Sequence, residues 1–534
     1  MDQLTLGIGT RLQHTQHGPE NLFKTSTQNK MKKLLLLKIL FLAVLTTNAQ
    51  PAFVKDSLDA YVQKALADWH IPGVAVGIIK DGKVEWMKGY GIAELGTDKK
   101  VDSNTLFGIG SNTKAFTATA LALLDADKKL SLDDKVQKWL PDFKLYDSWV
   151  AKEANIRDLL CHRLGFETFQ GDFMFFDSDL TVAQVREKLS GIKPLYSFRS
   201  RWGYTNAAFL TAGEIIPKVT SQTWAQILKE RIFTPLGMNR TLALSSEIAG
   251  ATNISAAHTV VKSVVRKVPY GKLDNIAPAG SISSSVADLS KWVMMQLDGG
   301  KLNGTQVIPA SAIAQTRTPH SILGNGGHMY NKAHFALYGL GWFLEEYSGR
   351  KIVAHTGGVN GFVTSIALVP EEKLGIIVLT NTDANNFYEA LRYEIMDAYL
   401  GLPYRNYSNV FLGFYNANEK RQEETLKKWK DTITMAIKPS VPLQSFAGTY
   451  THSIYGTMNL AVKDDKLIAR FQHHKGRYAE LEHLGNNRFL ASFNDPIMGI
   501  KVWPFSVEGN KLKSVTVTVA DFVEFLPYEF VKTK

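Results

Sequence analysis

Strand-like segments stand at both ends of a long, largely helical stretch of this chain. Residues 74–79 and 83–87 are apolar runs joined by Lys80-Asp81-Gly82, a sequence typical of a β-hairpin. Strand-like runs then return much later in the chain, at 341–344, 351–354, 362–369 and 374–380. The pattern predicts one α/β (α+β) domain over residues 54–402, with a mixed, mainly antiparallel sheet flanked by helices and an inserted helical lobe.

The C-terminal part of the chain has a different pattern. Residues 416–434 are polar, charged and helical in character. From residue 443 onward, short alternating strands are separated by turns such as Gly485-Asn486-Asn487. We therefore expect a linker with a helix over 403–440 and a small, separate all-β barrel or sandwich domain over 441–534.

The N-terminus resembles a leader. Met31-Lys32-Lys33 is basic, 34–45 is apolar except for one lysine, and small residues precede Gln50. This layout predicts a signal peptide over 31–49, and we interpret 1–30 as an N-terminal extension added by a mis-assigned start. The apolar run is shorter than the ~20 residues that cross a bilayer, which disfavours the alternative of a signal anchor. We expect an exported protein, periplasmic or secreted, without a stable membrane span after cleavage.

Charge and cysteine content disfavour several other classes. The 534 residues contain 61 Lys and Arg against 50 Asp and Glu, a net charge of +11, and part of this excess lies in the leader. A mild excess without long basic runs disfavours nucleic-acid binding. Cys161 is the only cysteine, which excludes a disulfide framework and cysteine-based metal clusters.

The segment around Ser111 contains the clearest candidates for catalytic residues. The sequence Phe107-Gly108-Ile109-Gly110-Ser111-Asn112-Thr113-Lys114 runs into an alanine-rich helical pattern. Ser111 and Lys114 are three residues apart and share one helix face. A serine hydroxyl needs a neighbouring base to become nucleophilic, and a desolvated lysine can be that base. Ser190 and Ser348 also begin Ser-x-x-Lys sequences, but neither starts a helix. An N-capping serine beside an exposed lysine is the alternative for this segment alone.

Two further motifs follow in the order Tyr204-Thr205-Asn206 and His355-Thr356-Gly357-Gly358. With the Ser-Lys pair, they resemble the serine β-lactamase and penicillin-binding-protein family, especially class C-like enzymes and related esterases and D-amino-acid peptidases. The resemblance covers nearly all of residues 54–400. The C-terminal domain resembles a lipocalin-like domain often appended to such hydrolases. Tyr404 and Tyr407 also begin tyrosine motifs, but both follow His355, the wrong order for the family.

The resemblance implies an acyl-enzyme mechanism that uses no metal or cofactor. Ser111 is then the nucleophile, Lys114 accepts or relays its proton, and Tyr204 is a general base whose phenolate is favoured by nearby cations. The backbone N–H groups of Ser111 and Gly358 are expected to form the oxyanion hole. Substrate-binding roles are implied for Asn206, His355, Thr356, Gly357 and Gly358.

His355 stands where many β-lactamases have lysine. A histidine with a pKa of ~6.5 is mostly neutral at pH 7 and is a weaker anchor for a substrate carboxylate. This change disfavours penicillin hydrolysis and leaves ester or peptide hydrolysis open. We predict an exported serine hydrolase of the β-lactamase, D-Ala-D-Ala carboxypeptidase or esterase type, acting on a small molecule or peptide. The alternatives are an acyltransferase that uses the same acyl-enzyme and a non-catalytic, penicillin-binding sensor.

Two histidine sites are expected to be structural. His162 lies in a motif-like loop, and we interpret it as a packed, hydrogen-bonded side chain because no metal-ligand partners accompany it. His473-His474 is expected to lie in a strand of the C-terminal domain, with no acidic companion.

Overall fold

The computed structural model describes residues 50–324 and 326–533. The signal peptide predicted over 31–49 and the extension over 1–30 lie outside these residues. In the described part of the chain, no helix combines the length and the apolar character that crossing a bilayer requires.

One antiparallel sheet forms the centre of the first domain. Its strands are β1 (Gly73–Lys80), β2 (Lys83–Gly91), β3 (Ser321–Gly324), β4 (Ala336–Tyr338), β5 (Phe343–Tyr347), β6 (Arg350–Val359), β7 (Phe362–Val369) and β8 (Leu374–Thr380). Their spatial order is β2-β1-β8-β7-β6-β5-β4-β3. The N-terminal hairpin thus pairs with the last strand, with Val74 opposite Thr380. The predicted fold class, an α/β domain built around a sheet from distant segments, is confirmed.

The inner strands β1, β7 and β8 are buried on both faces, and strand periodicity explains how. In β8, Ile376 and Val378 face the core formed with the helices Leu58–Asp68 and Phe387–Tyr399. Ile377, between them, faces the other core, which includes the inserted lobe. Successive side chains of a strand point to opposite faces, so a strand covered on both sides is apolar throughout.

Most of the helices of the first domain lie between β2 and β3 and form the predicted lobe. They are Thr113–Ala126, Val136–Trp139, Ser148–Glu153, Ile156–Leu160, Val182–Ser190, Asn206–Gly213, Ile215–Thr220, Trp224–Leu228, Thr234–Leu236, Ala277–Gly280, Val286–Leu297 and Ala310–Thr316. Thr113–Ala126 is the central helix of this group, because its residues 113–124 are all buried.

The short turn Gly110–Asn112 precedes this central helix and is fastened to the sheet. The Asn112 side-chain amide donates to the Thr364 hydroxyl of β7 (2.9 Å), and Thr364 donates to the carbonyl of Ile109 (3.1 Å). Gly357 of β6 lies against the same carbonyl, and a Cβ atom there would be 1.9 Å from the Ile109 oxygen. The turn and the sheet are therefore in direct backbone contact.

The second domain is a closed barrel. Its strands are β9 (Gly448–His452), β10 (Gly456–Lys463), β11 (Lys466–Phe471), β12 (Tyr478–Gly485), β13 (Arg488–Phe493), β14 (Ile500–Glu508), β15 (Lys511–Val517) and β16 (Tyr528–Lys532). Each strand pairs with the next one along the chain, and β9 pairs with β16 to close the ring. This is an up-and-down barrel. The expected C-terminal barrel is confirmed.

A helix over Tyr407–Thr434 connects the two domains, and the short helix Leu443–Phe446 follows it. The connecting helix begins nine residues before the predicted 416, at Tyr407, which is fully buried. Its hydroxyl donates to the Asp397 carboxylate at 2.9 Å. The first turn of the connecting helix therefore packs on the first domain, and Tyr407 is a core residue rather than a solvated linker residue.

The barrel is docked on the lobe through aromatic and ionic contacts. The ring of Phe173 is stacked on His474 of the barrel, with centroids 4.4 Å apart. Asp179 of the lobe lies 2.9 Å from the His473 ring nitrogen, so the expectation that this histidine has no acidic companion is wrong. The carboxylate comes from another domain, far away in the sequence. Arg477 adds an ion pair with Asp177 of the lobe.

The contact between Gly357 and Ile109 gives a testable prediction. Gly357→Ala places a methyl group against a backbone carbonyl, and forced overpacking of this kind costs ~1–3 kcal/mol. We expect a lower thermal unfolding midpoint. The matched control is Gly413→Ala in the connecting helix, where a Cβ atom meets nothing within 4 Å. It should stabilise the protein by ~0.5–1 kcal/mol. Equal midpoints for the two variants would contradict this contact.

Candidate active site

Ser111 lies at the mouth of a cavity of about 270 Å³. The walls come from the turn that carries Ser111, from β6, from the lobe and from the segment between β15 and β16 of the barrel. Predicted site residues among the lining are Ser111, Tyr204, Asn206, His355, Thr356 and Gly358. The three sequence motifs thus meet at one cavity.

Lys114 is buried behind Ser111 and contacts three oxygen atoms. Its Nζ lies 3.0 Å from Ser111 Oγ, 2.7 Å from Asn206 Oδ1 and 2.8 Å from the Ala279 carbonyl oxygen. The last two can only accept hydrogen bonds. A neutral amine has two N–H groups and one lone pair, so it donates to these two oxygens and turns its lone pair to the Ser111 hydroxyl. This is the arrangement of a base for Ser111.

The surroundings of Lys114 favour its neutral form. Burial lowers the pKa of Lys114 well below its ordinary value of 10.5, while the nearby Asp172 carboxylate acts in the opposite direction. Burial likewise raises the pKa of Asp172 well above 3.8, and the hydrogen bond from Asn206 opposes this rise. Each of the two groups is therefore shifted towards its uncharged form by desolvation.

Tyr204 does not have the lowered pKa that the sequence suggested. It is 6% exposed, and its burial raises the pKa of its phenol, with only partial compensation from the neighbouring Ser111 hydroxyl. Lys114 Nζ lies over the face of the Tyr204 ring, 4.6 Å from the ring centroid. The expectation that nearby cations favour the phenolate is wrong, because desolvation and the neighbouring Asp172 both raise the pKa of Tyr204.

Asn206 is held on both sides by protein groups. Its Oδ1 accepts from Lys114, and its Nδ2 donates to Asp172 Oδ2 at 2.5 Å. Asn206 is the first residue of the helix Asn206–Gly213, which follows the tyrosine directly. Tyr204 lies only two residues before Asn206, so the start of this helix places both side chains at the cavity. Asn206 connects Asp172 to Lys114, in addition to lining the cavity.

His355 is neutral and engaged within the protein. Burial and the neighbouring Lys114 lower the pKa of His355 to about 3. Its Nδ1 lies 2.6 Å from the Thr356 carbonyl oxygen, which can only accept, so this nitrogen carries the proton. Its Nε2 then accepts from the Tyr338 hydroxyl at 3.2 Å. The side chain therefore has no charge to offer a substrate carboxylate.

Glycines on both segments permit the close approach of β6 to the serine turn: Gly357 and Gly358 on β6, and Gly110 on the turn. Gly110 has φ of +53°, and a Cβ atom there would lie 2.8 Å from the Gly358 nitrogen. Ser111 and Gly358 both line the cavity. Their backbone N–H groups therefore belong to adjoining segments, which is the arrangement that a two-donor oxyanion hole needs.

Other polar groups near the cavity support the tyrosine motif. His162 is buried, and its Nδ1 accepts from the Thr205 backbone N–H at 3.0 Å. Its ring packs 4.4 Å from that of Tyr204, centroid to centroid.

Nowhere in residues 50–324 and 326–533 do three His, Cys, Asp or Glu side chains gather in a way that could hold a metal ion.

Three residues that line the cavity were not predicted from the sequence. Asp172 lines the cavity and is bound to Asn206, and its only sequence signal is an isolated acidic residue between Gly171 and a run of aromatic residues. Phe522 and Val523 of the barrel also line the cavity. Nothing in their sequence signals this role, since it follows from how the barrel is docked.

Comparison with known families and proteins agrees with this geometry. The beta-lactamase family model matches residues 58–400, and a domain of unknown function, DUF3471, matches residues 434–529. "Unguisins hydrolase ungD" of Aspergillus violaceofuscus is 29% identical over 473 residues, which cover 81% of this chain and 82% of the relative.

Two solved structures show the same fold. A penicillin-binding protein homologue from Pyrococcus abyssi, described as octameric, has a TM-score of 0.56 at 22% identity, covering 89% of this chain and 99% of its own. A D-stereospecific amidohydrolase from a Streptomyces species has a TM-score of 0.51 at 25% identity, covering 61% of this chain and 94% of its own.

The pKa directions predict how the rate depends on pH. Lys114 must be neutral to accept a proton, so kcat/KM for p-nitrophenyl acetate should fall as the pH drops through the Lys114 pKa. Tyr204→Phe should lower the rate by ~100-fold at every pH, without abolishing this acidic limb. If the Tyr204 phenolate were the base, the limb would vanish in the variant. Tyr196→Phe, outside the cavity, is the matched control and should leave both rate and profile unchanged.

Proposed function

Since the chain belongs to the beta-lactamase family, we propose that it is a serine hydrolase that cleaves an ester or amide bond through an acyl-Ser111 intermediate. The observation that carries the proposal is the 3.0 Å contact between Ser111 Oγ and the buried Lys114 amine. That contact supplies what a serine nucleophile requires, a base within hydrogen-bond reach that is uncharged before the reaction.

In the proposed acylation step, Ser111 Oγ attacks the substrate carbonyl carbon while its proton passes to Lys114 Nζ. The backbone N–H groups of Ser111 and Gly358 stabilise the negative charge on the carbonyl oxygen, a contribution of ~3 kcal/mol per donor. The carbon–heteroatom bond then breaks. The leaving alcohol or amine takes a proton from Lys114, either directly or through the Tyr204 hydroxyl.

In the proposed deacylation step, the same groups act on water. Lys114, neutral again, accepts a proton from a water molecule that attacks the acyl carbon. The ester bond to Ser111 breaks, and Ser111 Oγ recovers a proton from Lys114. Tyr204 is protonated throughout, which fits its raised pKa, and it serves as a hydrogen-bond donor and proton relay rather than as a phenolate base.

The cavity walls support a substrate with an uncharged, apolar acyl group. Aromatic rings dominate the lining: Phe169, Phe175, Phe176, Trp202, Phe343 and Phe522. Among the described residues that line the cavity there is no Lys or Arg, and His355 is neutral. A substrate carboxylate would be desolvated there without a cation to pair with. The name of the Streptomyces amidohydrolase supports an amide substrate, and the name of the Aspergillus hydrolase supports hydrolysis without specifying the bond.

The test compares Ser111→Ala with wild type on p-nitrophenyl butyrate, a D-alanyl nitroanilide and a chromogenic cephalosporin. We expect turnover of at least one substrate by wild type and at least a ~1,000-fold loss in the variant. Mass spectrometry of the wild type should show an added acyl group on the peptide that contains Ser111. Ser190→Ala removes the serine of another Ser-x-x-Lys sequence and should behave as wild type. Equal rates for Ser111→Ala and wild type would exclude acyl-Ser111 chemistry, and added acceptors that divert the acyl group would identify a transferase.

We also propose export, on the basis of the basic and apolar sequence over 31–49. N-terminal sequencing of the protein purified from its native host should begin at Gln50. A mature chain that still starts at or before Met31 would contradict cleavage, and recovery of the protein from the cytoplasm alone would contradict export.

A further inference from the structure

The segment Gly171–Phe173 lies between the cavity and the barrel, and its side chains point to both. Asp172 reaches Asn206 at the cavity, with 2.5 Å between Oδ2 and Nδ2. Phe173, the next residue, is fully buried in the barrel contact, where it is stacked on His474 and Tyr528. One short turn therefore touches the catalytic groups and the second domain at once.

Glu524 of the barrel binds the backbone of this turn from the other side. Its carboxylate accepts from the Gly171 N–H at 2.7 Å, from the Phe173 N–H at 3.1 Å and from the Tyr455 hydroxyl at 2.6 Å. Glu524 is 2% exposed. A buried carboxylate is tolerated only when hydrogen bonds replace its hydration, and here two of the three donors are the backbone groups that flank Asp172.

The contacts continue in an unbroken series from the barrel to the nucleophile. Glu524 holds the turn, Asp172 of the turn holds Asn206, Asn206 accepts from Lys114, and Lys114 contacts Ser111. The backbone of the turn does not fix this position by itself, because it contains Gly171, in the left-handed region with φ of +89°, and glycine has more conformational freedom than any other residue. The hydrogen bonds from Glu524 fix a turn that glycine would otherwise leave adaptable.

We propose that the C-terminal barrel is a working part of the active site, in which Glu524 is a positioning residue that sets Asp172 and, through Asn206, the Lys114 amine. This inference rests on the proposed function, since it concerns the base for Ser111. It gives the barrel a role in the rate of the reaction rather than in stability alone. Glu524 touches no substrate, so its loss should affect kcat more than KM.

The first experiment measures kcat and KM for p-nitrophenyl acetate in Glu524→Ala of the full-length protein. We expect kcat to fall at least ~10-fold while KM stays within ~3-fold, since misplacement of a catalytic group acts on the chemical step. Glu524→Gln retains one carbonyl acceptor and should be intermediate. Glu529→Ala, a glutamate on β16 outside the contact with the turn, is the matched control and should keep the wild-type kcat.

A double-mutant cycle separates positioning from simple stabilisation. If Glu524 acts through Asp172, then Glu524→Ala should change kcat by less than ~2-fold in an Asp172→Ala background, because contacting residues in one series are not additive. A merely structural role would give the same reduction in both backgrounds. Should Glu524→Ala fail to fold, Tyr455→Phe removes one hydrogen bond to the same carboxylate and should lower kcat ~2–3-fold.

The outcomes distinguish this inference from the proposed function. If Ser111→Ala is inactive but Glu524→Ala keeps the wild-type kcat, or if the two effects in the cycle are fully additive, the positioning role is overturned and the serine mechanism stands. If Ser111→Ala hydrolyses the ester as fast as wild type, both proposals are overturned. A reduced kcat with non-additivity supports the inference.

Discussion

The amine of Lys114 is buried where the central helix of the lobe meets the sheet, and it contacts three oxygen atoms of which two can only accept hydrogen bonds. Burial withdraws the amine from water and lowers its pKa, so that its lone pair is free to face the Ser111 hydroxyl. The glycines Gly110 and Gly357 allow the serine turn to approach the sheet closely. Asn206 Oδ1 accepts a hydrogen bond from the Lys114 amine.

The site draws on segments from both domains, which changes how the barrel is understood. The barrel contacts the lobe through stacked rings and ion pairs, and its segment before β16 also supplies a wall of the cavity. A Cβ atom on Gly358 would lie 2.9 Å from the Phe522 ring, so the barrel reaches the strand beside the nucleophile. The docked barrel therefore forms part of the cavity wall and binds the turn that carries Asp172.

Much of the architecture was predictable because hydrophobic periodicity is a local property. The apolar runs of the sheet, the Asp81-Gly82 hairpin and the alternating strands of the C-terminal domain all carry their structure in short windows. The connecting helix was predicted too late, since Tyr407 looks like a polar linker residue until Asp397 is placed beside it. The sequence predicted a lowered pKa for Tyr204, whereas its burial raises that pKa. The neighbours of a side chain in the sequence do not reveal how deeply it is buried.

The sequence by itself determined the fold class, the family and the residue types at the serine, lysine, tyrosine and histidine motifs, because these depend on local pattern and on fixed spacing. Only the tertiary structure decided that Lys114 and Tyr204 are buried, that Asp172 binds Asn206 and that Glu524 binds the turn that carries Asp172. Desolvation and long-range hydrogen bonding depend on which distant segments exclude water from a group. The burial of a group is a property of the packed molecule, and no single segment of the sequence determines it.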